Sequence, residues 1–105
     1  MAISEITLSA EKRMIPEDAL ARKIGEEIAR ILFNGNSNLI IGNLAASPLS
    51  NLRHSTYDKG FELHSGNISL ADVYFSSKDT TKIGIDFLPN SPADVKLRLE
   101  QYLSN

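Results

Sequence analysis

The densest group of chemically capable side chains in this 105-residue chain lies between positions 53 and 59. Arg53 and Lys59 could hold a phosphate or a carboxylate, since an arginine can give such a group two parallel hydrogen bonds. The residues between them add an imidazole, hydroxyl groups and a phenol ring. The candidate ligand-binding residues are Arg53, His54, Ser55, Thr56, Tyr57 and Lys59. They predict a site for an anionic small molecule or a partner protein, and an ordinary polar surface loop is the alternative.

His54, Ser55 and Asp58 also supply the residue types of a nucleophilic triad. Types alone do not make a triad, because it is defined by the geometry and the role of each group. The chain contains no G-x-S-x-G, G-x-x-x-x-G-K-[ST] or G-x-G-x-x-G motif, the usual signatures of hydrolases, phosphate loops and dinucleotide sites. We therefore expect a non-enzymatic binding protein without a cofactor, and a small enzyme acting on an anionic ligand is the alternative.

The two histidines, His54 and His64, lie ten residues apart, and Asp58 and Glu62 are near them in the sequence. A zinc site usually needs a third ligand and a defined spacing such as H-x-x-x-H. That spacing is missing here. We expect no metal site.

Composition limits the partners. The net charge is −2 and the basic residues form no block, whereas nucleic-acid binding depends on clustered lysine and arginine. The chain has no cysteine, which fits a reducing compartment. No apolar run approaches the roughly 18–20 residues of a spanning helix. We expect a cytoplasmic protein that binds neither nucleic acid nor membrane.

The span from Ile31 to Leu52 carries no charged side chain and is expected to meet the core or a partner. Just before it, Ala21, Gly25 and Ala29 repeat at a spacing of four. Such a row of small side chains allows close backbone approach. It packs either against the protein's own sheet or, as an interface, against a second copy, so a homo-oligomer or another partner protein is expected.

In the first half of the chain, Ile3–Ser9 is a predicted strand, and the apolar period over Pro16–Phe33 predicts a helix that Asn34-Gly35 ends. The apolar run in 38–45 predicts an interior strand covered on both faces. Strand, helix and strand could form a βαβ unit with a right-handed crossover. The segment 46–60 is a predicted loop, and its length is the main reason to look for a site there.

The second half is a predicted meander followed by a helix. Strands are expected near Phe61–Leu63, at Ile68–Phe75 and at Thr81–Leu88. Asp72 and Asp86 are expected to be solvated, and Tyr74 faces away from Phe75 and could be exposed. Ser91 with Asp94 resembles a capping box that opens the last helix.

The expected fold is a single α+β domain over residues 1–105. It has four or five mostly antiparallel strands and two helices, in the order β-α-β-β-β-β-α. The expected function is binding or interaction, with residues 46–60 as the site of a ligand or partner.

Overall fold

The computed structural model describes residues 3–34, 38–43, 57–88 and 91–105. Its elements, in chain order, are β1 (Ser4–Thr7), α1 (Ala10–Arg13), α2 (Glu17–Phe33), β2 (Leu39–Asn43), β3 (Lys59–Ser65), β4 (Ile68–Phe75), β5 (Lys82–Phe87) and α3 (Ala93–Ser104). The predicted α+β class and element order are confirmed, and α1 is an additional single turn of helix.

The five strands form one sheet in the order β1-β5-β4-β3-β2, with every neighbouring pair antiparallel. The short turns of the meander place β3, β4 and β5 side by side in the centre. It follows from this order that β1 and β2 run in the same direction at opposite edges. The strand–helix–strand unit therefore spans the whole sheet, and its two strands do not pair.

Both long helices pack on one face of the sheet, where α2 contacts β2, β3 and β4, and α3 contacts β1 and α2. The side chains under them alternate along each strand, as the period of two requires. Phe61, Val73 and Ile85, for example, are buried at one level of three neighbouring strands. We call the other side of the sheet the open face.

Helix α2 ends as predicted, because Asn34 adopts the left-handed conformation with φ of 57°. It starts one residue later than predicted, with Pro16 as its N-cap. The capping box predicted for the last helix is wrong. Pro92 takes the N-cap position of α3, and no side chain in the described part of the chain caps it. Proline already fixes φ near the value that a helix start needs.

Between β1 and α2, residues 11–13 belong to α1, whose N-cap is Ser9. Lys12 in this turn is only 8% exposed. Its Nζ donates a hydrogen bond of 3.0 Å to the main-chain oxygen of Asn105 and lies 4.7 Å from the centre of the Tyr102 ring. A lysine can bury its long stem in this way while its ammonium group keeps polar partners.

In the described residues, no helix has both the length and the apolar character needed to cross a membrane.

Candidate functional site

The predicted ligand-binding residues are only partly within the described structure. Arg53, His54, Ser55 and Thr56 lie outside the described residues, whereas Tyr57 and Lys59 lie within them. Lys59 points to the helix side, where its Nζ is 3.3 Å from a carboxylate oxygen of Glu17. Tyr57 lies on the open face, with its ring centre 6.0 Å from that of Tyr74. The two described members of the predicted group are thus on opposite sides of the sheet.

Tyr57 covers the middle of the open face. A Cβ placed on Gly84 would lie 2.8 Å from the ζ carbon of Tyr57 and 2.7 Å from a methyl carbon of Ile3. The glycine therefore allows these side chains to lie directly on the sheet. Tyr74 beside them is 1% exposed, so the expectation of an exposed Tyr74 is wrong. Burial, followed by the charges of Asp72 and Asp86, raises the pKa of Tyr74 to about 12.

Three carboxylates form a row on the open face. Glu62 on β3 faces Asp72 on β4, and Asp72 faces Asp86 on β5. Burial, with the charges of Glu62 and Asp86 next, raises the pKa of Asp72, and burial also raises the pKa of Asp86. Both aspartates are half-buried rather than solvated. Successive residues of a strand point to opposite faces of the sheet, so Asp72 shares a face with Tyr74 and not with Phe75. This alternation was the signal in the sequence that could have placed Asp72 on the open face.

His64 lies at the end of this row, with Nε2 3.3 Å from a carboxylate oxygen of Glu62 and Nδ1 3.4 Å from the hydroxyl of Ser69. Among the described residues, no group of three or more histidine, aspartate or glutamate side chains could hold a metal ion. His54 lies outside the described residues. The row therefore offers negative charge but no described coordination site.

Asp58, the acidic residue of the possible triad, has a structural role. Its carboxylate accepts a hydrogen bond of 3.3 Å from the main-chain N–H of Ser77 and another from the hydroxyl of the same residue. The hydroxyl bond is the main cause that lowers the pKa of Asp58. Its own N–H donates to the carbonyl of Phe75 at 2.9 Å. Asp58 thus fastens the start of β3 to the end of β4.

The row of small residues predicted as an interface lies inside the molecule. Ala21, Gly25 and Ala29 are all buried on α2. A Cβ placed on Gly25 would lie only 2.7 Å from a methyl carbon of Leu39, so the missing side chain lets β2 approach the helix. Gly25 thus packs against the protein's own sheet, the first of the two predicted alternatives, and all three residues are buried within the single chain.

Strand β2 is an edge strand, which corrects the expectation of an interior strand. Its one partner within the described residues is β3. Leu39 and Ile41 are half-buried on the helix side, but Ile40 points to the open face and is 47% exposed. Three consecutive apolar residues suggested a strand that is buried on both faces. Burial depends, however, on whether the strand is central or at the border of the sheet, and the local sequence does not encode that position.

The outer side of β2 carries backbone groups that do not bond to β3. The N–H of Gly66 donates to the carbonyl of Asn38 at 2.9 Å, which identifies these two residues as a hydrogen-bonded pair in the ladder. Bonded and non-bonded pairs alternate along an antiparallel ladder. Leu39, Ile41 and Asn43 therefore direct their N–H and C=O groups away from β3. Together these groups and the side chain of Ile40 form what we call the β2 edge.

A shallow apolar cleft of about 150 Å³ lies at the end of the sheet below the end of α2. Among its lining residues are Leu32, Ile68, Leu70, Leu88 and Pro92. Ile68 is 56% exposed there. The cleft is a second exposed apolar surface, separate from the β2 edge.

A larger, polar cleft of about 320 Å³ separates α2 from α3. Its two arginines already have carboxylate partners on their own helices. Arg30 pairs with Glu27, and the Nε of Arg98 is 3.6 Å from a carboxylate oxygen of Asp94. An anion would have to compete with these pairs, so the cleft is a weaker candidate for the predicted anionic ligand.

No protein-family model, no curated protein and no solved structure matches this chain. The surfaces themselves are therefore the basis for inferring a function.

Proposed function

We propose that the protein is a non-enzymatic interaction module that self-associates, with the β2 edge as its contact surface. The observation that supports this most is the position of an uncharged, apolar strand at the border of the sheet. Ile40 on that strand is 47% exposed, and the backbone groups of three residues point away from β3.

Free edges are a known hazard in sheet proteins, because unpaired N–H and C=O groups accept another strand. Natural proteins commonly protect an edge with lysine, proline, a bulge or a covering element. The sequence of β2, Leu-Ile-Ile-Gly-Asn, has none of the protective residues. A strand that lacks these residues and carries an exposed isoleucine is suited to strand addition, in which main-chain hydrogen bonds supply affinity.

Residues 46–60 form the second part of the proposal, as the site of a ligand or another partner. Lys59 and Gly60, predicted as the end of the loop, instead begin β3. Tyr57 supports the proposal, because this residue lies on the open face just before β3, with its ring centre 6.0 Å from that of Tyr74. The anionic ligand predicted from Arg53, His54 and Lys59 is less favoured, since Lys59 pairs with Glu17 on the other side. A cytoplasmic location stays a prediction.

Sedimentation equilibrium over about 10 µM to 1 mM tests the self-association, a range that covers weak affinities. The unmodified chain should show a reversible dimer whose fraction rises with concentration. Ile40→Lys should weaken the dimer at least about tenfold, because it places a charge in the edge. A chain that is monomeric throughout the range would contradict the proposal.

Ile68→Lys is the matched control, since it makes the same exchange at an isoleucine that is more exposed but lies off the edge. It should leave the dimer unchanged. If Ile68→Lys dissociates the dimer and Ile40→Lys does not, the contact surface is the apolar cleft and the β2 edge is excluded.

A thermal-shift screen of phosphates and carboxylates tests the segment 46–60. A ligand held there should stabilise the unmodified chain but not Arg53→Ala, and binding at 100 times Kd corresponds to about 2.7 kcal/mol. Equal stabilisation of both proteins would exclude Arg53 from the site.

A further inference from the structure

We infer that the strand added to the β2 edge is β2 of a second copy, running antiparallel, with Ile41 opposite Ile41 of the partner. The inference deepens the proposed function and rests on it. Two copies would then share one continuous sheet of ten strands, twice the five of one chain, related by a twofold axis through Ile41.

Backbone geometry selects this register. The outward-facing groups belong to Leu39, Ile41 and Asn43, so a partner strand must bring its own outward residues opposite these three. Two antiparallel copies can meet around residue 40, 41 or 42. Only the arrangement around Ile41 pairs all five residues of Leu39–Asn43. It makes three hydrogen-bonded pairs, and each such pair exchanges two N–H···O bonds.

The side chains on the open face are complementary in the same register. Ile40 of one copy would lie opposite Gly42 of the other, and the twofold axis repeats the contact. Ile40 is 47% exposed, whereas a Cβ built on Gly42 meets no atom of the described residues within 4 Å. The large side chain of one copy thus covers the bare backbone of the other.

The charge distribution also favours a second copy as the occupant. Like charges directly opposite each other destabilise a strand pair, and identical strands related by a twofold axis readily bring like charges together. Strand β2 has no charged residue, so the self-pairing meets no repulsion along the strand. On the open face the carboxylate row ends at Glu62 of β3, which faces Gly42.

Disulfide trapping tests the register directly, because the natural chain contains no cysteine. Ile40→Cys and Gly42→Cys proteins are mixed under mild oxidation. Residues directly opposite approach within disulfide range, whereas diagonal neighbours lie roughly 7–8 Å apart, beyond it. We expect the mixed 40–42 disulfide to form at least about tenfold faster than the 40–40 disulfide of Ile40→Cys alone.

The alternatives give different products. Faster 40–40 than 40–42 trapping would overturn the register in favour of pairing around Ile40, while leaving self-association intact. A dimer in sedimentation that yields no disulfide from either position would overturn the inference and exclude the edge. The absence of any dimer in sedimentation would contradict the proposed function itself.

A charge pair provides a second test that does not depend on oxidation. The double variant I40E/G42K places opposite charges across the interface, and I40K/G42K places like charges there. Both variants carry G42K, which faces Glu62 of the same chain. Any effect of that exchange on folding is therefore the same in both. We expect I40E/G42K to dimerise at least about tenfold more tightly, from two cross-strand pairs. Equal affinities would overturn the register.

Discussion

The two edge strands of the sheet run in the same direction but differ in their charge and in their contacts with neighbouring elements. Strand β1 carries an exposed glutamate, Glu5, and its end is fastened to neighbouring elements. The N–H of Leu8 donates to the carbonyl of Thr81 at 2.8 Å, and that of Ser9 to the carbonyl of Leu103 at 3.0 Å. Strand β2 has no charge and, in the described part of the chain, no partner beyond β3.

Two edge strands of the same sheet can therefore differ in how their outer sides are protected. The β1 edge carries the charge of Glu5 and contacts α3, which are two of the usual ways to protect an edge. On the helix side, Leu39 of β2 packs against Gly25, but β2 itself carries neither a charged residue nor a proline. We propose that the β1 edge contributes to stability and the β2 edge to association.

The largest expected effect comes from truncating the helix-side residue of each edge. Ile6 on β1 is buried, whereas Leu39 on β2 is only half-buried. Ile6→Ala should lower the free energy of unfolding by about 2–4 kcal/mol, and Leu39→Ala by about half as much, because less apolar area is lost. Urea unfolding followed by circular dichroism at low protein concentration measures both. Equal losses of unfolding free energy would show that β1 and β2 are anchored to the core equally well.

Lys12→Met tests how firmly the β1 side is held. The exchange removes the hydrogen bond from Nζ to the main-chain oxygen of Asn105 and the contact with Tyr102. We expect a loss of about 1–2 kcal/mol, since hydrogen bonds to charged groups contribute at about this level. Lys23→Met, at an exposed position of α2, is the control and should change stability very little. A neutral Lys12→Met would mean that the ammonium group contributes nothing to this side.

Several of these features were predictable from the sequence, because their signals are local. The limits of β4 coincide with the predicted Ile68–Phe75, and α2 begins one residue from the predicted start. Asn34 ends α2 in the left-handed conformation because it is one of the residues that tolerate a positive φ. Alternation and helical period were sufficient for these elements.

The features that distinguish the two edges were not predictable, because they depend on which strands become neighbours. An apolar run such as that of β2 is compatible both with a central strand and with an edge strand. Tyr74 is buried because Tyr57, seventeen positions earlier, lies across it. Lys12 is buried because Asn105 and Tyr102 come to it from the other end of the chain. Of the predicted ligand-binding residues, the structure describes Tyr57 and Lys59, which lie on opposite sides of the sheet, and the site stays a prediction.

Removing an outward N–H group should weaken the dimer when the change is made in β2, but not when it is made in β1. Asn43→Pro deletes an outward donor of β2, and Thr7→Pro deletes one of β1, because Leu8 identifies the inward residues there. Asn43→Pro should weaken the dimer about tenfold, and Thr7→Pro should leave it unchanged. Sedimentation equilibrium of both variants measures this. Equal weakening by the two prolines would contradict the assignment of association to β2.

The smallest effect concerns the carboxylate row that separates the edges on the open face. Burial, with Glu62 and Asp86 next, raises the pKa of Asp72, so the folded state binds its proton more readily than the unfolded chain. The contribution of Asp72 to the stability of the fold therefore falls as the pH rises above the pKa that this residue has in the unfolded chain. Asp72→Asn should stabilise the fold at neutral pH by less than about 1 kcal/mol, the range of solvent-screened charges.

This gain should shrink as the pH falls and the natural aspartate becomes protonated. Thermal unfolding of both proteins between pH 4 and pH 7 measures it, a range that starts near the ordinary aspartate pKa of about 3.9 and extends to neutral pH. A gain that is constant over this range would show that Asp72 does not titrate as the row implies.

We propose that β2 is the edge used for association and that β1 is not. Amide hydrogen exchange at several protein concentrations tests it at single residues. Protection should increase with concentration at the outward amides of Leu39, Ile41 and Asn43, and stay constant at those of Glu5 and Thr7. Unchanged protection at all five, or an equal increase at both edges, would contradict the claim.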